Sequence, residues 1–317
     1  MEPAVKVLRL RSYAKVNLGL EVLGQRQDGY HELRTLFQTI ELHDDVELRP
    51  RPDGQVTVSC DHPGVPGDDT NLAVRAAREL QRLAGERRGV DIRLEKRIPV
   101  AGGLGGGSSN AATVLIGLDR LWKLGLGPDG LQPLARRLGA DVPFFLVGGT
   151  ALGLARGDEI YPLLPQLRAH LVVVDPQRPL STPAVFRRLD ATLTPRENGT
   201  SIFRFLSSYL AGRPAFGALV NELEAAALEE APDLRDQVAR VRGILKRAGA
   251  RQLSLSGSGA TYFGLFDAAA GAGKAQAALE AAGFRAYRTR TITYDRYRRG
   301  TWDPDEGHRR RSTLRNK

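Results

Sequence analysis

The first hundred residues alternate apolar and polar positions in short runs, and this period of two is typical of strands. In the clearest run, Val90, Ile92 and Leu94 fall on one face and charged residues on the other. The pair Asp53-Gly54 is a strong turn signal, and it predicts a hairpin between the two runs that flank it. The predicted strands of this half are Val5–Arg11, Val16–Leu23, Thr35–Leu42, Val46–Arg49, Val56–Cys60 and Val90–Leu94.

Helical spacing first appears at Leu72–Leu83, where apolar residues recur every three or four positions behind a run of capping residues, 68–71. Beyond this point helices and strands are intermixed, with few simple strand–helix–strand units. That order favours an α+β fold over an α/β fold. The further predicted helices are Ala111–Leu121, Leu131–Leu138, Thr182–Leu189, much of 201–247 and Lys274–Ala282. The further predicted strands are His170–Asp175, Arg251–Leu255, Thr261–Phe266 and Tyr287–Tyr294, with short apolar segments at Phe144–Leu146 and Thr150–Leu154.

The pattern changes character near Ala155–Gln166, which Gly157, Pro162 and Pro165 interrupt. We therefore predict two domains, 1–155 and 156–294, as expected for a chain of 317 residues. Residues 295–317 mix charge, glycine and proline without periodicity, and we expect them to form an unstructured tail.

The formal charge of +10 suggests a nucleic-acid partner, but its distribution argues against one. Residues 285–317 carry 11 basic and 4 acidic side chains and so hold +7 of the surplus. The chain has 42% hydrophobic residues, no apolar run long enough for a bilayer and no apolar leader, so we expect a cytoplasmic protein. With one cysteine and five histidines, a dedicated Cys/His metal site is not expected.

Five of the six residues 102–107 are glycine, and Ser108, Ser109 and Asn110 follow directly before a predicted helix. Glycine backbone can turn its N–H groups inward, and a helix N-terminus adds unpaired N–H groups and a positive dipole end. The segment therefore predicts a phosphate-binding loop, whose serine hydroxyls suit phosphate oxygens or a bound Mg²⁺. It lacks the lysine of a P-loop and the spacing of a dinucleotide-binding loop. A flexible linker is the alternative, but linkers do not lead straight into an amphipathic helix.

The chain resembles the GHMP small-molecule kinases through the segment Pro99–Ser109. Other motifs of that family occur in its order over roughly residues 10–265. The resemblance implies a two-domain kinase fold with the active site in the interdomain cleft and ATP as the phosphate donor. The matching motifs are 14–20, 24–31, 35–38, 71–72, 139–143, 181–186, 221–224 and 256–260.

Asp141 matches the catalytic aspartate of the family, and Lys15 matches its catalytic lysine. The residue types suit phosphoryl transfer, because a carboxylate can accept the proton of a hydroxyl and a lysine can hold that carboxylate ionised. Judged alone, Asp141 would be a helix cap or turn residue, and for Lys15 a solvated side chain beside a strand and a functional role are equally open. The resemblance further implies ATP contacts from Pro99, Ala101, Gly102, Gly103, Leu104, Gly105, Gly106, Gly107, Ser108, Ser109, Asn110, Asn71 and Lys96, and a Mg²⁺ contact from Ser108.

Two motifs, Asp28–His31 and Ser181–Phe186, resemble the branch of the family that phosphorylates the 2-hydroxyl of an erythritol unit carrying cytidine diphosphate. Tyr30 and Phe186 would sandwich the cytosine, and His31 would read its edge. Phe186 alone is better read as a core residue. For 256–260 a tight strand-to-strand turn and a site contact stay equally open. The substrate contacts implied are Asn17, Tyr30, His31, Phe186, Gly257 and Ser258.

Two other functions remain open from the sequence. A GHMP kinase of the homoserine or mevalonate type would share the loop but lack the cytidyl motifs. A basic nucleic-acid-binding protein would explain the charge, but it has no use for the glycine loop, Lys15 or Asp141.

Overall fold

The computed structural model describes residues 7–85, 87–191 and 201–302, which form two lobes built on two sheets. Throughout these residues no helix is both long enough and apolar enough to cross a bilayer. The strands are β1 (Leu8–Gln25), β2 (His31–Arg51), β3 (Val56–Cys60), β4 (Gly89–Glu95), β5 (Thr150–Leu154), β6 (Glu159–Pro162), β7 (His170–Asp175), β8 (Gln252–Leu255), β9 (Tyr262–Phe266) and β10 (Arg285–Arg290). The helices are α1 (Leu72–Ala84), α2 (Gly106–Leu121), α3 (Gly127–Leu138), α4 (Phe144–Val147), α5 (Thr182–Asp190), α6 (Ser201–Leu210), α7 (Leu223–Glu230), α8 (Leu234–Arg247), α9 (Ala269–Ala281) and α10 (Tyr294–Thr301), with a 3₁₀ turn at Phe216–Ala218.

The N-terminal lobe is a six-stranded sheet covered by α1 to α4. Its strand order is β3-β4-β2-β5-β6, and β1 pairs with β2 over almost its whole length. From Leu8 onward, the predicted strands Val5–Arg11 and Val16–Leu23 are therefore parts of the one long strand β1. Thr35–Leu42 and Val46–Arg49 are likewise parts of β2. Bulges in the β1–β2 ladder let these strands bend around the core while they stay paired.

The predicted hairpin of Val46–Arg49 with Val56–Cys60 is wrong. The Asp53-Gly54 turn is present, with Gly54 at φ 72°, but β4 lies between the two strands and pairs with both. The buried positions of β4 explain this order, since Val90, Ile92 and Leu94 are at most 1% exposed. The half-exposed strand β3 lies at the edge of the sheet, next to β4.

The C-terminal lobe is an antiparallel sheet of order β10-β7-β9-β8. One face packs on α8 and α9. The other face meets β1 in a shared apolar cluster that contains Val16 and Leu18 from one lobe and Val173 and Phe263 from the other. This joint core holds the two lobes together beneath the cleft.

The lobe boundary and the C-terminus differ from the expectations. Strand β6 pairs with β5, so the first sheet extends past residue 155 to Pro162. The unstructured tail expected from 295 is wrong for residues 295–302, because α10 is a helix whose Tyr297 is fully buried. The buried ring of Tyr297 anchors this helix. The charged residues around it in 294–301 gave no indication of this in the sequence. Residues 303–317 lie outside the described part of the chain.

Candidate active site

A cavity of about 570 Å³ opens between the lobes. Strands β1 and β2 form its floor, the start of α2 and the turn before α4 form one end, and α5 with the turn between β8 and β9 forms the other side. This matches the predicted interdomain position. The sequence-predicted residues that line it are Lys15, Asn17, Tyr30, His31, Gly103, Gly105, Ser108, Asp141, Phe186, Gly257 and Ser258.

Lys15 and Asp141 form an ion pair at the floor of the cavity, with Nζ 3.2 Å from Oδ2. The lysine side chain is 3% exposed and the aspartate side chain 35% exposed, so the carboxylate faces the cavity and the ammonium lies beneath it. Lys15 Nζ also donates to Asn17 Oδ1 at 2.6 Å, and the Asn17 amide donates to Thr35 Oγ1 at 2.7 Å. The carboxylate is thus held by a cation that is itself fixed from below.

The glycine loop leads directly into α2, as predicted, although the helix already begins at Gly106. Gly105 is the N-cap residue, at φ 70°. A Cβ added there would lie 2.8 Å from Phe145 Cζ and 3.1 Å from Lys15 Cε, so only glycine fits. The Lys15 N–H donates to the Leu104 carbonyl at 3.0 Å, which joins the loop to the strand that carries the ion pair. Together these contacts place the N-terminus of α2 beside Lys15 and Asp141.

Three of the predicted ATP contacts, Ser109, Asn110 and Lys96, bond inside the protein and do not line the large cavity. Ser109 is fully buried and accepts from Ser12 Oγ at 2.8 Å. Asn110 donates to Asp44 Oδ2 at 3.0 Å, and the Lys96 ammonium pairs with the same carboxylate. Lys96 and Asp44 are 5% and 0% exposed, so this ion pair braces the loop from below.

The remaining ATP candidates lie beyond the large cavity. Asn71 caps α1 by accepting from the Ala73 N–H at 2.9 Å, and it is 7% exposed. A second cavity of about 280 Å³ lies against the opposite end of the loop. The predicted residues that line this second cavity are Lys96, Pro99, Ala101 and Gly102.

The second glycine motif, 256–260, is both a strand turn and a wall of the cavity. It connects β8 to β9, and Gly257 and Ser258 line the cavity. Ser256 Oγ donates to the Gly103 carbonyl at 2.9 Å, which joins the two glycine-rich segments. Ser258 Oγ lies 2.7 Å from Thr182 Oγ1 at the start of α5. The sequence left a strand-to-strand turn and a contact with the site as alternatives for this segment. The segment is such a turn, and it also lines the cavity.

The far end of the cavity is aromatic and more open. The Phe186 ring stacks on the His31 ring with 4.5 Å between centroids, and His31 Nε2 lies 2.6 Å from Asp190 Oδ1. Tyr30 is 53% exposed, and the Arg156 guanidinium lies 4.8 Å from its ring centroid. Phe186 also packs on the core of the C-terminal lobe, as the core reading predicts, while it lines the cavity. Its stacking on a cytosine stays a prediction.

Sequence reasoning missed two residues at this end, Arg156 and Asp190, and it gave no role to Arg187, which also lines the cavity. No local pattern marks Arg156 or Asp190, because each acquires its role from a partner in another element. Thr35 and Thr182 lie inside the motifs 35–38 and 181–186, but neither was assigned a contact. The nearest signal was Asp190, which follows Phe186 by one helical turn and therefore faces the same side.

The donor set fits a magnesium ion bound mainly through phosphates. Within 7–85, 87–191 and 201–302, no cluster of three His, Cys, Asp or Glu side chains can hold a metal. Mg²⁺ commonly keeps several waters and binds substrate phosphates with few protein ligands. The hydroxyl of Ser108, which lines the cavity, is a suitable ligand of this kind.

Comparison with known proteins assigns the class. The family described as "GHMP kinases N terminal domain" matches residues 71–149, and "GHMP kinases C terminal" matches residues 212–285. A crystal structure of homoserine kinase from Cytophaga hutchinsonii has a TM-score of 0.70 over 92% of this chain and 96% of that one, but at 18% identity it shows the fold alone. The two family matches and the fold are those of a GHMP kinase, the class that takes phosphate from ATP.

Two further relatives narrow the assignment from the GHMP kinases as a whole to one branch of them. A crystal structure of 4-(cytidine 5'-diphospho)-2C-methyl-D-erythritol kinase has a TM-score of 0.73 and 37% identity and covers 90% of this chain and 99% of its own. The 4-diphosphocytidyl-2-C-methyl-D-erythritol kinase of Pelotomaculum thermopropionicum is 41% identical over 260 residues, 82% of this chain and 89% of the relative. The chain belongs to the 4-diphosphocytidyl-2-C-methyl-D-erythritol kinase family, which confirms the predicted branch.

Proposed function

We propose that this chain transfers the γ-phosphate of ATP to the 2-hydroxyl of 4-diphosphocytidyl-2-C-methyl-D-erythritol, in the non-mevalonate route to isoprenoid precursors and in the cytoplasm. The observation that carries the proposal is the Lys15–Asp141 ion pair, whose carboxylate faces the interlobe cavity beside the N-terminus of α2. The γ-phosphate of ATP at the N-terminus of α2 and the acceptor hydroxyl at the Asp141 carboxylate would therefore be neighbours.

Asp141 accepts the proton of the acceptor hydroxyl while the hydroxyl oxygen forms its bond to the γ-phosphorus. The bond from that phosphorus to the β,γ-bridging oxygen breaks, and ADP leaves. Lys15 keeps the carboxylate ionised and oriented toward the cavity, because its ammonium is fixed by Asn17 from below. Most of the catalytic effect in such a site comes from positioning and from charge neutralisation.

The phosphates of ATP lie along Gly103–Ser108, where backbone N–H groups and the positive end of α2 favour negative charge. Leu104, Gly106 and Gly107 contribute backbone here. The nucleoside end of ATP follows the other end of the loop, past Ala101 and Pro99 toward Lys96 and Asn71. Ser109, Asn110 and the Lys96 ammonium support the loop from within. Ser108 is the residue that would hold Mg²⁺, which would neutralise charge on the phosphates when bound.

The acceptor extends from Asp141 to the aromatic end. Its erythritol unit lies near Asn17, Gly257 and Ser258, and its cytosine stacks against Tyr30 and Phe186. A cytosine ring is apolar on its faces and polar at its edge, so aromatic faces with a nearby His31 suit it.

A panel of acceptor alcohols with γ-labelled ATP tests the proposal. We expect label transfer to 4-diphosphocytidyl-2-C-methyl-D-erythritol and none above background to homoserine or mevalonate, which lack the cytidine group. NMR of the product checks that the phosphate is on the 2-hydroxyl. Transfer to homoserine or mevalonate at a comparable kcat/KM would contradict the substrate assignment.

A further inference from the structure

Helix α10 follows the last strand of the C-terminal lobe but packs on the N-terminal lobe. Thr301 Oγ1 donates to the Arg11 carbonyl of β1 at 3.2 Å, and Arg296 pairs with Glu41 of β2. Ile292, just before the helix, donates its N–H to the Thr39 carbonyl at 2.9 Å. The end of the described chain is therefore attached to the two strands that form the cavity floor.

Tyr297 is the buried centre of this contact. Its side chain is fully buried, and its hydroxyl donates to the Phe145 carbonyl of α4. Burial raises the pKa of the hydroxyl far above its ordinary value, so it remains a donor throughout the neutral and mildly alkaline range. A Cβ added at Gly148 would lie 2.3 Å from the Tyr297 ring, so this close approach requires glycine after α4.

Phe145 connects this contact to the reacting end of the cavity. It lies four residues after Asp141, and its N–H donates to the carbonyl of Val142 at 3.1 Å. Val142 in turn donates its N–H to the Gly139 carbonyl at 3.2 Å and so closes the turn 139–142 that carries the aspartate. Its ring fills the space beside Gly105, the N-cap of α2. A displacement of Phe145 would therefore move both the Asp141 turn and the glycine loop.

The other side of Tyr297 faces the strand that carries Lys15. Its ring is 5.7 Å from the ring of Tyr13. The β1–β2 register shifts between Tyr13 and Lys15, so the strand is irregular at this point and its course depends on packing. Tyr297 thus contacts both segments whose relative placement determines the Lys15–Asp141 distance.

We propose that Tyr297 is a positioning residue for phosphoryl transfer, through its hydroxyl bond to the Phe145 carbonyl. The proposal rests on the proposed function, because it assigns a purpose to the Lys15–Asp141 geometry. In this arrangement α10 supports the reacting groups, although none of its residues lines the interlobe cavity.

The test compares Tyr297→Phe with Tyr209→Phe in the full chain. Tyr209 offers a matched control, since it is 4% exposed and its hydroxyl also donates to a backbone carbonyl, that of Pro165, away from the cavity. Both variants keep the ring and lose a hydroxyl that donates to a backbone carbonyl, so we expect both to unfold at a lower temperature. Steady-state kinetics are measured well below both unfolding midpoints, with circular dichroism to verify that each variant is folded.

We expect Tyr297→Phe to lower kcat about tenfold, since small misplacements of reacting groups cost rate, with the KM of both substrates within twofold of wild type. Tyr209→Phe should keep the wild-type kcat. A kcat for Tyr297→Phe equal to that of Tyr209→Phe would overturn the proposal, and so would a rise in both KM values with kcat unchanged. Either result leaves the proposed function standing, because Asp141→Asn tests the chemistry independently.

Discussion

At one end of the cavity the Lys15 side chain is 3% exposed and has two bonded partners, and at the other end Tyr30 is 53% exposed and touches one guanidinium. The reacting end is built from close backbone approaches that leave no space for a Cβ at Gly103 or Gly105. The cytidine end is built from side chains that stack on one another. A rigid reacting end keeps charges where the transition state needs them, and an open aromatic end can admit a large acceptor.

This difference predicts a separation in kinetics. Changes at the reacting end should lower kcat, because they alter interactions made in the transition state. Changes at the aromatic end should raise the KM of the acceptor, because they remove binding that is equal in the ground state and the transition state.

The largest effect is expected for Asp141→Asn. The amide keeps the size of the side chain but cannot accept the proton, so kcat should fall by about 10³-fold. ATP should still bind, which isothermal calorimetry with a non-hydrolysable ATP analogue would check. A kcat within tenfold of wild type would exclude Asp141 as the base.

Gly105→Ala should have the next largest effect. The added Cβ meets Phe145 and Lys15 at a residue with φ 70°, so the loop and the ion pair cannot both keep their positions. We expect kcat to fall by about 10²-fold, as for other misplacements of reacting groups. Gly125→Ala is the control, since Gly125 has the same φ with open space around it, and it isolates the backbone strain. Equal kcat values in the two variants would show that the reacting end is less rigid than its packing indicates.

The two-domain α+β fold was predicted correctly from the sequence, and so was β7 with its observed bounds, because its apolar run is continuous. Local glycine chemistry and a helix start are enough to predict a phosphate-binding loop, and the loop does lead into a helix at the cavity. The hairpin at Asp53-Gly54 failed since a turn signal cannot show that β4 inserts between its arms. Asp190 and Arg156 were missed because their partners, His31 and Tyr30, lie in other elements.

Helix α10 is a further element that could not be predicted from the sequence, because its contacts are with distant residues. Its sequence is charged and has few apolar residues, so composition alone predicts a tail. Its largest buried side chain is Tyr297, and a glycine at 148 makes room for that ring. Long-range complementarity of this kind has no signature in a single sequence.

At the aromatic end, Phe186→Ala should raise the KM of the acceptor about tenfold or more, since stacking on a base contributes about 1–3 kcal/mol. The KM of ATP and the kcat should remain close to wild type. Phe203→Ala is the control, because Phe203 is a half-exposed ring that does not line the cavity. If both KM values rose equally, Phe186 would act only through the core of its lobe.

The smallest effect is expected for Arg156→Lys. Arg156 donates to Asp158 Oδ2 at 2.7 Å, and its planar guanidinium covers the Tyr30 ring. Lysine keeps the charge but loses the flat contact, so Tyr30 becomes more mobile and the KM of the acceptor should rise about two- to fivefold, the equivalent of a cation–π contact of about 0.5–1 kcal/mol. Arg240→Lys removes a similar contact on Phe284 and should change no kinetic constant. A fall in kcat for Arg156→Lys would contradict the separation between the two ends, because it would mean that the aromatic end also positions the reacting hydroxyl.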